Sequence, residues 1–198
     1  MLTIGICVIA GKPYQKGHDY LIRTASKECD QVLVFVSTLD RVRKGEMKIS
    51  GLAMQKIWRD FIEKTLPSNV TVTYSANPMT SAYKELQTAE ENDELCKFII
   101  FSDEVDLSAN FADTKLQRLF PKLLGNSMLE KRPVSREDTS GISGTKMRAF
   151  LAQGDIASFT KGLPISIRSH AKEIVDILSE NLKRNMISIS TSVNHLPK

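Results

Sequence analysis

A chain of 198 residues has the length of one ordinary domain with room for a small C-terminal addition. Its apolar fraction of 41% and charged fraction of 25% exclude a disordered or fibrous protein. A net charge of +4 is too small to imply nucleic-acid binding, and the longest early apolar run, Ile4 to Ala10, is too short to span a bilayer.

In chain order, Thr3 to Ala10 is almost continuously apolar and β-branched, which predicts a first strand covered on both faces. The turn Gly11-Lys12-Pro13-Tyr14-Gln15-Lys16-Gly17-His18 follows, then a helix from about Gly17 to Cys29 with Leu21, Ile22 and Ala25 at helical spacing. Gln31 to Ser37 is a second buried strand, so the opening has the size of one βαβ unit. The polar loop from Ser37 to Lys48 carries Arg41, Arg43, Lys44 and Lys48. A helix is predicted over Ala53 to Leu66, a third strand over Val70 to Tyr74, and a helix over Thr80 to Glu91 after the breaker Asn77-Pro78.

Lys97 to Ser102 reads as a fourth strand ending in an acidic loop, Asp103-Glu104-Val105-Asp106. A helix over Thr114 to Leu124, a short fifth strand within Ser127 to Pro133, and a polar loop from Ser135 to Ile142 lead to a helix starting near Gly144. After a helical turn over Asp155 to Phe159 and the break Gly162-Leu163-Pro164, Ser166 to Lys183 is predicted to form an amphipathic helix, followed by a loose tail. Alternating strands and helices give an α/β fold: an open, mostly parallel, Rossmann-like sheet of about five strands, helices on both faces, plus a C-terminal helix. The division is a main domain over 1–160 and a helical extension with its tail over 161–198. If the first and fourth strands are neighbours where the strand order reverses, the Gly11 turn and the acidic loop face each other across the ligand crevice.

Three cysteines, Cys7, Cys29 and Cys96, are odd in number and widely spaced, with no metal-ligand clustering of His and Cys. They predict reduced thiols, no protein-held metal and, with no signal segment at the N-terminus, a cytoplasmic protein.

Gly11 permits turn conformations closed to other residues, and Gly17 allows close approach of a ligand to the first helical turn. The open N–H groups there attract anions, phosphate above all, and His18 with Lys12 and Lys16 adds donors and positive field. A Walker loop does not fit. Five residues separate Gly5 from Gly11, and Pro13 stands where Ser or Thr is needed.

The stretch VIAGKPYQKGHDYLI resembles the first signature of the nucleotidylyltransferase superfamily, a strand–helix turn ending in His-x-Gly-His or Thr-x-Gly-His. ISGTKMR resembles the second, Ser-Gly-Thr-x-x-Arg, at the start of a late helix. The resemblance spans residues 3 to 152. It implies attack by a substrate phosphate on the α-phosphate of a nucleoside triphosphate, with Mg²⁺ travelling on the triphosphate and pyrophosphate released. His18 then meets the phosphates at the reacting end, with Gly11, Lys12, Gln15 and Gly17 beside it on the nucleotide. Ser143, Gly144 and Thr145 receive the β- and γ-phosphates, and Arg148 pairs with them. Gln15 departs from the pattern, since it stands at the position of the first histidine or threonine. It can donate and accept hydrogen bonds but carries no charge.

Family members present a cation to the acceptor's phosphate from the loop after the second strand. Of Arg41, Lys44 and Lys48, Lys44 is the first choice. Asp103, Glu104 and Asp106 are left as Mg²⁺-orienting, acceptor-binding or merely solvated. Trp58 is read as packing, and His170 and His195 as surface residues.

The expected partners are a nucleoside triphosphate and a phosphorylated small-molecule acceptor, with no nucleic acid and no membrane. Homo-oligomers are common among relatives. The turn is similar to that of nicotinamide-mononucleotide adenylyltransferases, which favours adenylyl transfer. Cytidylyl transfer to a polyol- or amino-alcohol phosphate is the alternative, and a nucleotide-binding module without turnover a further one.

Overall fold

In the computed structural model, which describes residues 1–92, 95–135 and 141–180, the first apolar run is strand β1, Leu2–Ile9. It is the middle strand of five. In chain order the elements around it are α1 (Lys16–Glu28), β2 (Gln31–Ser37), α2 (Gly51–Ile57), β3 (Val70–Ser75), α3 (Pro78–Glu91), β4 (Cys96–Ser102), α4 (Glu104–Asn110), α5 (Asp113–Leu119), α6 (Pro121–Gly125), β5 (Leu129–Pro133), α7 (Gly144–Gln153) and α8 (Ile156–Gly162). A last helix, α9, covers 171–180. The strand order is β3-β2-β1-β4-β5, with every pairing parallel.

The two-residue period of a strand divides its side chains between two cores. Ile4 and Ile6 of β1 join Phe98 and Ile100 of β4 under α3, α4, α5 and α6, where Leu86, Leu107, Leu116 and Leu123 close the layer. Cys7 and Ile9 join Ile99 and Phe101 on the other face, under α1, α2 and the C-terminal helices. Leu163, Ile167, Ile174 and Leu178 pack into this second core, so the C-terminal segment is part of its wall. Each fully buried Leu, Ile or Phe contributes about 1.5–3 kcal/mol.

Four local features differ from the sequence reading. The segment Asp103–Asp106 starts α4 and is not a loop. The Asp103 carboxylate accepts from the Asp106 N–H at 3.0 Å, and acidic residues favour the positive end of a helix. The helix predicted over Thr114 to Leu124 is two, α5 and α6, because Pro121 has no N–H to continue the ladder and starts the second. The helix expected over Ala53 to Leu66 is α-helical only to Ile57. It continues as a π turn over Trp58–Ile62 and a 3₁₀ turn over Glu63–Thr65. The C-terminal amphipathic stretch begins as a 3₁₀ turn, Ile165–His170, before α9. The tail after Asn185, His195, and the middle of the polar loop from Ser135 to Ile142 lie outside the described residues.

No helix among the described residues is long and apolar enough to cross a membrane. Cys7, Cys29 and Cys96 are free thiols, and burial pushes the Cys7 thiol far up, so it is held in its unreactive form.

Candidate nucleotide site

The order of strands reverses between β1 and β4, and a cleft of about 540 Å³ opens beyond their carboxyl ends. Its walls include Gly11, Lys12, Gln15, Gly17 and His18 from the first turn. Asp103 and Asp106 come from the start of α4, and Ser143, Gly144, Thr145 and Arg148 from the start of α7. The two sequence motifs, over 120 residues apart, therefore share one cavity.

Gly11 has φ +54°, a left-handed conformation that lets the chain fold back directly after β1. The turn then delivers Gln15 as the N-cap of α1. Its side-chain oxygen accepts from the Gly17 N–H, and its own N–H donates to Nδ1 of His18 at 3.3 Å, a reciprocal capping box. A ring nitrogen that accepts a hydrogen bond carries no proton, so neutral His18 has its N–H on Nε2. Tyr14 stacks on the His18 ring with centroids 5.7 Å apart, and Trp58 abuts Tyr14 edge-on at 4.8 Å. Tyr14 is further tied through its hydroxyl to Asp19, itself paired with Arg23 at 2.8 Å. Trp58 is fully buried, as the sequence suggested, and through Tyr14 it fixes the position of His18.

Lys12 is only 6% exposed. Its Nζ donates to the Ser37 carbonyl at the end of β2 at 2.9 Å. Burial lowers its pKa to about 8, against a smaller opposing pull from Asp40.

Ser143 caps α7 through its hydroxyl, which accepts from the Lys146 N–H at 3.2 Å, and Gly144 and Thr145 follow in the first turn. Arg148 is one turn on and 4% exposed. Nη1 donates to the Lys12 carbonyl at 2.8 Å, and Nη2 to the Thr145 hydroxyl at 2.9 Å. Its guanidinium thus fastens the second motif to the first. Burial pulls its pKa below the ordinary arginine range, while Glu46 pulls it back up.

The loop between β2 and α2 forms one rim. Arg41 pairs with Ile49 in an antiparallel bridge, and Asp40 accepts from the Gly51 N–H at 2.8 Å. That closure needs glycine, because a Cβ on residue 51 would lie 1.8 Å from the Thr38 carbonyl oxygen. Asp40 and Arg41 face the cleft. Lys44 is exposed on the loop and is not in the cleft wall, and Lys48 is paired with Asp40 at 3.0 Å. Two participants were not singled out from sequence. One is Asp40, whose carboxyl is held below its usual range first by the Gly51 N–H and then by Lys48. The other is Glu46, whose Oε2 lies 2.9 Å from Arg148 Nη2. Neither belongs to a recognisable motif, and only the folded loop brings them here.

Among the described residues no group of three or more His, Cys, Asp or Glu side chains could hold a metal ion. The cleft does present Asp103 and Asp106 opposite the basic turn, a donor set compatible with an ion that arrives on a polyphosphate.

The sequence model of the citrate lyase ligase C-terminal domain family matches residues 4–52, from β1 through the loop that carries Glu46. No curated protein sequence matches the chain. Several solved structures resemble it. A protein of Vibrio parahaemolyticus provisionally assigned as a nicotinate-nucleotide adenylyltransferase is 18% identical, with a TM-score of 0.57 over 86% of this chain and 99% of that one. The nicotinic acid mononucleotide adenylyltransferase of Plasmodium falciparum, solved with NaAD, is 16% identical, with a TM-score of 0.58 over 89% and 98%. A bifunctional NMN adenylyltransferase/ADP-ribose pyrophosphatase of Francisella tularensis, solved with AMP and a Mn ion, is 13% identical, with a TM-score of 0.57. That match covers all of this chain but 57% of the other.

Proposed function

We propose that this chain, whose fold is that of the nucleotidylyltransferase superfamily, transfers a nucleotidyl group, adenylyl by preference, from a nucleoside triphosphate to a phosphorylated small molecule. A phosphate oxygen of the acceptor attacks the α-phosphorus, the bond to the bridging oxygen breaks, and pyrophosphate leaves with the electron pair. The observation that carries this reading is the meeting of two helix N-termini, His18 and Arg148 in one cleft at the β1/β4 reversal. Such a cleft suits two anions that must be aligned while charge builds between them.

In this reading His18, held by the capping box and the Tyr14 ring, directs Nε2–H at the α-phosphate. The amides at the start of α7, the Thr145 hydroxyl and Arg148 receive the β- and γ-phosphates. Lys12 and Arg41 are the cations nearest the acceptor's path, with Lys44 able to join them only if the loop moves. Mg²⁺ is treated as part of the triphosphate substrate, neutralising charge on it. Adenylyl transfer is favoured because the adenylyltransferases above share the fold over most of the chain. A cytoplasmic setting suits the three free thiols, Cys7, Cys29 and Cys96.

A binding module without turnover has one observation in its favour: the Gln15 side chain is committed to capping Gly17. The deciding experiment measures pyrophosphate release from ATP, CTP, GTP and UTP against a panel of phosphorylated acceptors, for wild type and His18→Ala. Release that needs an acceptor and falls at least a hundredfold in His18→Ala supports the enzyme. Tight nucleotide binding with no release on any acceptor supports the module.

A further inference from the structure

The rim loop sets a charge of the wrong sign for a phosphate site against two arginines of the cleft wall. Glu46 Oε2 lies 2.9 Å from Nη2 of Arg148 and 3.5 Å from Nε of Arg41. The side chains of Glu46 and Arg148 are 22% and 5% exposed, so the pair is largely withdrawn from water. Yet it is poorly made. Glu46 Oε2, Arg41 Nε and Arg148 Nε are all buried without an aligned hydrogen bond. Buried charged groups at such distances ordinarily complete their hydrogen bonds. Three incomplete ones in one cluster mark a place arranged for a larger anion, in which a single carboxylate is a partial substitute.

The loop is built to give that carboxylate up. Its base is fixed by the Arg41–Ile49 bridge, by buried Ile49 and by the Asp40–Gly51 bond. Its tip is secured by a turn, Glu46 N–H to the Arg43 carbonyl at 3.1 Å, and the neighbouring Val42 is 66% exposed. Val42 to Gly45 are exposed, while Met47, just behind Glu46, packs on the core, so the movement this requires is confined to the tip.

We propose that Glu46 is an internal stand-in for a phosphate group and sets the affinity of the site for polyphosphates. This rests on the reading of Arg148 as a phosphate-binding residue. A tethered carboxylate competes at high effective concentration. A singly or doubly charged anion displaces it poorly, whereas a triphosphate brings enough charge and enough oxygens to satisfy both guanidinium groups at once. If the loop rests closed about ten to one over open, the apparent Kd for any anion is about tenfold weaker than the intrinsic value, ~1.4 kcal/mol.

The test is calorimetric titration of inorganic tripolyphosphate and of orthophosphate into wild type, Glu46→Gln and Glu46→Ala. Glu85→Gln, on the exposed face of α3, serves as a control for the same change in net charge. The expected result is tripolyphosphate and orthophosphate each binding about tenfold tighter in both Glu46 variants, with no comparable gain in the control. Unchanged or weaker binding in both variants overturns the proposal, as does equal tightening in Glu85→Gln. ATP titrated alongside separates the two readings. If the Glu46 variants tighten for tripolyphosphate while ATP gains nothing from its nucleoside, the stand-in role is supported and nucleotidyl transfer is not. If ATP binds well and the variants change nothing, only the stand-in role falls.

Discussion

Replacing Arg148 by alanine tests structure and chemistry separately. The guanidinium makes hydrogen bonds to the Lys12 carbonyl and the Thr145 hydroxyl and an ion pair with Glu46, while being 4% exposed. Its loss strands a buried carbonyl and a partly buried carboxylate. A hydrogen bond from a charged donor contributes about 1.5–3 kcal/mol, offset here by the relief of no longer burying an arginine. A net cost of about 2–3 kcal/mol corresponds to a fall in Tm of about 5–10 °C for a chain of this size. Loss of a donor aimed at the transferring phosphates costs about 10²–10³ in turnover. Arg148→Lys keeps the charge but not the fork, so it should recover part of the stability and little of the rate. Scanning calorimetry and a pyrophosphate-release assay read the two effects independently. Arg148→Ala with wild-type turnover would refute the phosphate role. A wild-type Tm would refute the tie between the two motifs.

Two further outcomes follow from the first turn. Lys12 has its pKa depressed to about 8, below the value it regains on unfolding. The folded protein therefore loses this proton first. Its cost to stability is fully present below about pH 8 and fades as pH rises toward the unfolded lysine range. If the charged form holds a substrate phosphate, kcat/KM falls as pH rises through about 8. In Lys12→Arg that limb moves to higher pH, and an unmoved limb assigns it to another group. Gln15→Thr should retain the cap and turnover within a few-fold, since threonine also accepts from helix N–H groups. Gln15→Glu places a carboxylate beside the phosphate path and should lower kcat/KM at least tenfold. Equal kinetics for all three forms would put the phosphates elsewhere.

The fold was legible because its signal is repeated. Buried β-branched runs such as Ile4–Ile9 and Val32–Val36 permit little besides covered parallel strands, and the helices between them carry apolar faces. Local chemistry was less legible where one residue has two readings. Asp103 and Asp106 look like loop acids until they prove to start a helix. Pro121 divides a pattern that apolar spacing alone continues. In the site, His18 and Arg148 stood out because each belongs to a motif with fixed spacing. Gln15 is absent from the usual N-cap residues, so its capping role was hidden. Lys12 looked like a source of field, although its Nζ is bonded to the end of β2. Glu46 could not be found from pattern at all. Its meaning depends on where a loop tip comes to rest, and that is decided by Gly51, Ile49 and Asp40 at the loop's base.

The hydrogen bond from Arg148 to the Lys12 carbonyl joins positions 136 residues apart. During synthesis the first turn leaves the ribosome long before the helix that completes it. Closing so large a loop is among the slower steps available to the chain. A nascent chain ending before α7 lacks the second motif and also Met147, Phe159, Leu163, Ile167, Ile174 and Leu178, so its second core is still open on one side. If the cleft is a nucleotide site, competence to bind is acquired late, when α7 docks, and a ligand that bridges both motifs stabilises the docked state by mass action. If the cleft takes a nucleotide, a chain truncated before α7 should lose both cooperative melting and any ligand-induced rise in Tm, because Phe159, Leu163 and Ile167 leave the core with it.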